Sequence, residues 1–333
     1  MRRCGLSILA LSAAIGCLAA PASALADCKL QTVGEFHVDL SRGVPLVDGE
    51  VNGLPAKILI DTGASYSMVV RADAASLGIV GVHGAGEMHA VGGESEVLAA
   101  NVKSLKIANF AAHDLLLVEA GPPNQAPDAS LILGQDFLSV YDIEFDYAEG
   151  VVRLFQPQGC SPEQLDYWNK PYSLASLAPT SRDDPRFVTV ATLNGKSEPA
   201  VIDSGAAASV VDRSVAQGVG ASLQSVDAPM QGLGPDARLT WVGQFTSFAY
   251  GDEKISNVRM LVANLLGDFQ TDPHAMTGSR LPARLQNAPY IVLGTDFLRA
   301  HRVYVGNKEH AVVFSYTGGP VFDAPPAPGK PQP

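Results

Sequence analysis

One stretch of this chain is written twice, and the repetition limits what the chain can fold into. Ile58-Leu59-Ile60-Asp61-Thr62-Gly63-Ala64-Ser65 returns as Ala200-Val201-Ile202-Asp203-Ser204-Gly205-Ala206-Ala207. In each copy an apolar run ends in a carboxylate, a hydroxyl and a glycine. That is the pattern of a buried strand that turns sharply and presents its Asp at the end. The surroundings repeat too. Asn52-Gly53, a strong hairpin-turn signal, lies nine residues before Asp61, and Asn194-Gly195 lies nine before Asp203.

The duplication continues downstream. Ser67-Met68-Val69-Val70 and Ser209-Val210-Val211 read as short strands, each leading into a polar turn of helix, Arg71 to Leu77 and Asp212 to Gln217. Glycine-rich tips follow at offsets of 31 and 29 residues from the aspartates: Val91, Gly92 and Gly93 in one copy, Gly232, Leu233 and Gly234 in the other. Leu131-Ile132-Leu133-Gly134-Gln135-Asp136-Phe137-Leu138 is matched by Ile291-Val292-Leu293-Gly294-Thr295-Asp296-Phe297-Leu298, again a buried strand ending in Gly before a short helix. A hairpin closes each copy, Tyr141 to Phe155 and Arg302 to Phe314. An internal repeat of this size predicts an all-β chain of two similar lobes. The limits are residues 27–160 and 185–318, joined by a linker at 161–184. A strand from Phe36 with a turn at Gly43-Val44-Pro45 opens the first lobe, and Tyr167 and Trp168 anchor the linker. The second copy carries an insertion from Leu265 to Pro289. The Pro-rich tail, 319–333, cannot pair into a sheet and is expected to be disordered.

Both ends of the composition argument point away from the membrane interior and from nucleic acid. Arg2 and Arg3, an apolar run from Leu6 to Ala20 and Ala24-Leu25-Ala26 have the layout of a secretory leader over residues 1–26, hence a periplasmic or secreted protein. Lipid attachment at Cys17 is the alternative. The chain has a net charge of −11, and losing the leader makes it more acidic still. With no basic run, neither nucleic acid nor an anionic membrane surface is an expected partner. Outside the leader only Cys28 and Cys160 remain. In an oxidising compartment such a pair invites a disulfide, with two unpaired thiols as the alternative.

Asp-Thr/Ser-Gly-Ala followed by an apolar-apolar-Gly motif resembles the retropepsin-type aspartic proteases, and Leu-Gly-x-Asp-Phe-Leu resembles their bacterial forms. The likeness spans nearly the whole chain after the leader, in two copies. It implies two β-barrel lobes forming an intrachain pseudo-dimer, with a monomer as the active unit. It also implies that Asp61 and Asp203 are the catalytic pair, supported by Gly63, Ala64, Gly205 and Ala206. Thr62 and Ser204 would bond across to the opposite loop, and Gly134 and Gly294 would pack beside the aspartate loops. The two glycine-rich tips would be flaps over a peptide or protein substrate. The first and last strands of such a lobe end near each other, which implies a Cys28–Cys160 bridge closing 132 residues. Here the chain departs from pepsin-type enzymes in having no Tyr between Tyr66 and Tyr141 for a flap tyrosine, and alanines at positions 64 and 206 where those enzymes carry a hydroxyl.

Two carboxylates about 3 Å apart cannot both ionise, so the pair shares one proton and supplies both acid and base to a water. No cofactor and no metal are needed. His83, Glu87 and His89 match no established metal spacing, and Gly84-Ala85-Gly86 lacks the Lys that a phosphate loop requires. The expected activity is therefore exported aspartic endopeptidase action. The alternatives are a binding module that keeps the fold without turnover, and a structural envelope protein. With both hydroxyls missing, the dyad is expected to hold its proton to higher pH than a pepsin pair.

Overall fold

Asparagine fixes the register of both lobes, because Asn52 and Asn194 adopt φ of 53° and 48° at the tight turn where Gly53 and Gly195 follow with φ of 77° and 83°. Positive φ at both central positions makes the turn whose twist suits a two-residue hairpin. The computed structural model describes residues 28–123, 128–179, 185–230, 232–234, 237–265 and 290–322. The expected leader with Cys17, residues 180–184 of the expected linker, most of the Leu265–Pro289 insertion and the tail beyond Phe322 lie outside the described residues.

The chain enters on β1 (Lys29–His37) and then builds the first lobe. Its strands are β2 (Leu46–Val51), β3 (Leu54–Ile60), β4 (Met68–Val70), β5 (Val82–Ala90), β6 (Gly93–Ile107), β7 (Phe110–Ala120) and β8 (Leu131–Leu133). The order β2-β3-β8-β4-β7-β6 closes on itself because β6 returns to pair with β2, and β5 attaches outside β6. Helix α1 (Arg71–Ala74) follows β4, and α2 (Gln135–Leu138) follows β8. After the hairpin β9 (Asp142–Asp146) and β10 (Val151–Gln158) comes β11 (Ser173–Ser176). The second lobe repeats the plan with β12 (Val188–Leu193), β13 (Lys196–Ile202), β14 (Val210–Asp212), α3 (Arg213–Gly218), β15 (Ser222–Met230), β16 (Arg238–Tyr250), β17 (Glu253–Ala263), β18 (Ile291–Leu293) and α4 (Thr295–Ala300). Its closure is β16 against β12. The hairpin β19 (His301–Gly306) and β20 (Ala311–Tyr316) ends the fold.

A third sheet joins the halves, in the order β1-β10-β9-β19-β20-β11. Its central pair, β9 and β19, runs antiparallel with Arg302 opposite Asp146 and Val305 opposite Ile143. The chain is therefore an all-β pseudo-dimer, as its duplication predicts. The same sheet carries the Cys28–Cys160 disulfide, at the end where Lys29 of β1 pairs with Gln158 of β10.

Three details differ from the sequence reading. The first strand is Lys29–His37 and stops where a strand was expected to be getting under way, because its partner β10 supplies the ladder and Phe36 the buried anchor. The segment read as linker contains β11, an edge strand paired along β20. Tyr167 and Trp168 do hold it: the Tyr167 hydroxyl contacts Glu144 and Arg302, and Trp168 Nε1 donates to Ser315 Oγ at 2.8 Å. The tail does not leave the fold at Gly319, since Val321 and Phe322 pack on the core and Phe322 meets Phe248 edge to face at 4.9 Å.

Strands β3 and β8 read as continuous apolar runs because both their faces are covered. Ile58, Ile60, Leu131 and Leu133 enter the main core, while Leu59 and Ile132 point to a smaller cluster with Leu46, Met68, Val70 and Val97. Ala200, Ile202, Ile291 and Leu293 divide from Val201 and Val292 in the same way. Burial on two faces is what a parallel pair needs, and β3–β8 and β13–β18 are parallel pairs.

Candidate active site

Parallel neighbours end side by side, so the loop after β3 is delivered against the loop after β8. Asp61 N donates to Leu133 O at 3.0 Å, and Asp203 N donates to Leu293 O at 2.9 Å. Each Asp then folds back on its own loop. Gly63 N and Ala64 N reach Asp61 Oδ1 at 2.8 and 3.1 Å, while Gly205 N and Ala206 N reach Asp203 Oδ1 at 2.9 and 3.1 Å. Gly134 and Gly294 sit where backbones nearly touch. A Cβ on Gly134 would lie 2.6 Å from the Tyr66 carbonyl carbon, and one on Gly294 would lie 2.7 Å from that of Ala208. Only glycine allows that approach.

The two loops meet across the molecule. Thr62 Oγ1 donates to Ile202 O at 2.8 Å and accepts from Ser204 N at 3.0 Å. Reciprocally, Ser204 Oγ donates to Ile60 O at 2.7 Å and accepts from Thr62 N at 3.1 Å. Both side chains are fully buried, so these bonds replace water that cannot reach the groups. The consequence is that each glycine backs the opposite carboxyl. A Cβ on Gly63 would fall 2.3 Å from Asp203 Cγ, and one on Gly205 would fall 2.4 Å from Asp61 Cγ.

Asp61 and Asp203 thus face each other closely enough to hydrogen-bond. Loss of hydration raises Asp61 to about 8, and the neighbouring Asp203 charge adds to it against the two backbone donors. Loss of hydration raises Asp203 as well, opposed by the Gly205 and Ala206 amides and by the Arg186 charge. One proton held between the two oxygens is the arrangement this favours.

The glycine-rich tips also come together. Val91 and Gly92 form the turn between β5 and β6, and Gly234 N, in the connection from β15 to β16, donates to Val91 O at 2.9 Å. His83 of the loose His–Glu–His pattern contacts Glu96 instead, with Nδ1 2.8 Å from Oε1. Among the described residues no group of three or more His, Cys, Asp or Glu side chains is placed to hold a metal.

Seven supporting residues have roles that only the structure assigns. Ser67 Oγ donates to Asp136 at 2.6 Å and accepts from Gly134 N at 3.0 Å, and Ser209 Oγ does the same with Asp296 at 2.6 Å and Gly294 N at 2.9 Å. The signal was present, since Ser67 and Ser209 each lie six residues after the loop aspartate, and Asp136 and Asp296 hold the same place after Gly. Gln135 Nε2 and Thr295 Oγ1 then bond Thr62 O and Ser204 O, both at 3.0 Å. Tyr147 had no such signal. It is buried, reaches from the first half towards Thr295 and Asp203, and burial holds its phenol well above the ordinary value.

Comparison with known families agrees with this geometry in each half separately. Residues 47–140 match the family model described as "gag-polyprotein putative aspartyl protease", and residues 189–297 match one described as "Aspartyl protease". No curated protein matches the chain.

Proposed function

From the premise that this chain belongs to the aspartyl protease family, with two of its domains in tandem, we propose that it is an aspartic endopeptidase whose single active site is the Asp61/Asp203 pair. The observation that carries the reading is the reciprocal seating of each loop glycine against the opposite carboxyl, which fixes the pair in one place. A water between the carboxyls gives a proton to the ionised oxygen as it attacks the peptide carbonyl. The proton already shared by the pair passes to the carbonyl oxygen, forming a neutral gem-diol. Collapse returns that hydroxyl proton to the dyad, while the other proton goes to the leaving nitrogen. Oxygen and proton count then close on the starting state.

One sheet shared by β1, β10 and β9 of the first lobe, β19 and β20 of the second and β11 between them supports a monomer as the active unit. The disulfide fits an oxidising compartment, and with the leader-like residues 1–26 it supports export to the periplasm or beyond. The test is hydrolysis of an unfolded casein-type substrate. Wild type should cleave, and a statine-type inhibitor should stop it. Asp61→Asn and Asp203→Asn should each lose nearly all activity, with the double variant hardly worse than either. Tight peptide binding with no cleavage under any condition would instead establish a binding module.

A further inference from the structure

The two hairpin tips do not meet as equals. Leu233 is carried between Gly232 and Gly234, and both glycines press on the first tip. A Cβ on Gly232 would lie 2.5 Å from Val91 O, and one on Gly234 would lie 2.2 Å from Gly92 C. With no side chains on either side, the leucine crosses into the first lobe. There it is half-buried and packs on the small apolar cluster that includes Leu46, Leu59, Met68, Val97 and Ile132. Ala64, whose N–H reaches Asp61 Oδ1, packs on the same cluster, so one apolar surface connects the Asp61 loop with the leucine.

The matching cluster in the second lobe is Val201, Val210, Ala263 and Val292, with Ala206 at the equivalent edge. It receives Met230 from its own lobe but, among the described residues, nothing from the first tip. Val91, the residue best placed to cross in that direction, stays 40% exposed. Among the described residues, the first cluster thus receives a side chain from the opposite tip, and the second does not.

We propose that Leu233 occupies the first-lobe seat for a substrate side chain, so that the resting enzyme is partly self-occluded and favours peptides bearing a leucine-sized aliphatic residue there. This deepens the endopeptidase reading and rests on it. The physical reason is an exchange. A peptide leucine, isoleucine or methionine replaces the contacts that Leu233 gives up. An alanine recovers only part of that apolar burial, and a lysine would place a charge on a surface that offers it no partner.

Calorimetric binding of reduced-amide peptides, which cannot be hydrolysed, tests this without relying on turnover. The peptides carry Leu, Ala or Lys on each side of the reduced bond. For wild type, the Leu peptide should bind tightest. Leu233→Ala should tighten it about tenfold, on the scale of partly burying one leucine side chain, and should leave the gap to the Ala peptide at least as wide. Leu233→Met, which refills the seat, should return the dissociation constant towards wild type. Equal or weaker binding by Leu233→Ala would overturn the proposal, because the tip would then be a lid that grips the ligand. Absence of binding by both proteins would overturn it too. Hydrolysis is scored separately: the expected binding pattern without cleavage sinks the endopeptidase reading alone, and cleavage with an unchanged dissociation constant sinks the occlusion alone.

Discussion

At the dyad a single methyl group decides between function and collapse. Gly205 has no unusual backbone conformation to excuse it; what it lacks is room, because its Cβ position lies inside the van der Waals envelope of Asp61. Gly205→Ala should therefore displace the carboxyl by a few tenths of an ångström or more. The expected outcome is a loss of kcat/KM of roughly 100-fold, the scale of a small misplacement at a reacting group, with the circular dichroism spectrum retained. Ala64 and Ala206 make the opposite case, since each already donates its backbone N–H to a dyad oxygen at 3.1 Å and has no hydroxyl to add. In Ala64→Ser with Ala206→Ser, a further donor to the ionised form lowers the pair's apparent pKa values. The kcat/KM profile on a peptide without titrating groups should be a bell in mildly acidic to near-neutral solution. The double variant should move its upper limb towards acid. An unmoved limb would mean that the serines turn away from the carboxyls.

Among the elements, the Asn-Gly hairpins do more than turn the chain. Asn52 Nδ2 donates to Leu77 O at 2.9 Å, and its Oδ1 accepts from Lys103 N at 2.8 Å. Asn194 repeats this with Val219 O at 2.9 Å and Thr246 N at 2.8 Å. One side chain thus ties the turn to the end of the short helical segment and to the long strand behind it. Glycine accepts positive φ more readily than asparagine, so turn preference alone predicts that Asn52→Gly is harmless. The tie predicts a loss of about 0.5–1.5 kcal/mol in denaturant unfolding, the usual net contribution of a hydrogen bond that water can partly replace. Sequence showed the repeat of these turns and their nine-residue spacing, but it could not show the tie, because Leu77 and Lys103 lie far along the chain.

For the whole molecule, the joining sheet concentrates buried charge. Glu144 is fully buried between Arg153 and Arg302, with contacts of 3.0 and 2.7 Å, so the two halves share one ionic cluster. Nearby, loss of hydration raises Asp142 to about 7, with the Glu309 charge next in effect. Asp61 is raised to about 8, and both values lie above the carboxylate range of an unfolded chain, about 4. The folded state therefore holds more protons than the unfolded one between about pH 4 and 8. What these groups contribute is fully present below that window and is lost as pH rises through it. Melting temperature should fall from pH 5 to pH 8.5, and the fall should be smaller in Asp61→Asn, measured by calorimetry. A slope identical to wild type would show that the dyad is not the raised group.

The sequence by itself determined the two lobes, their hairpin registers, the loops that present Asp61 and Asp203, and the glycines beside them. These follow from turn chemistry, apolar runs and a spacing that is repeated, all of which act over a few residues. Tertiary structure decided which edges would pair: β1 with β10, β9 with β19, and β11 on β20, within a stretch that reads as linker. Such pairings depend on which strand edges are left open once each lobe has closed, and no local pattern records that. The crossing of Leu233 into the first lobe belongs with them. Glycines at the tip permit it, but the seat is built from strands more than a hundred residues earlier in the chain, and only the folded molecule brings the two together.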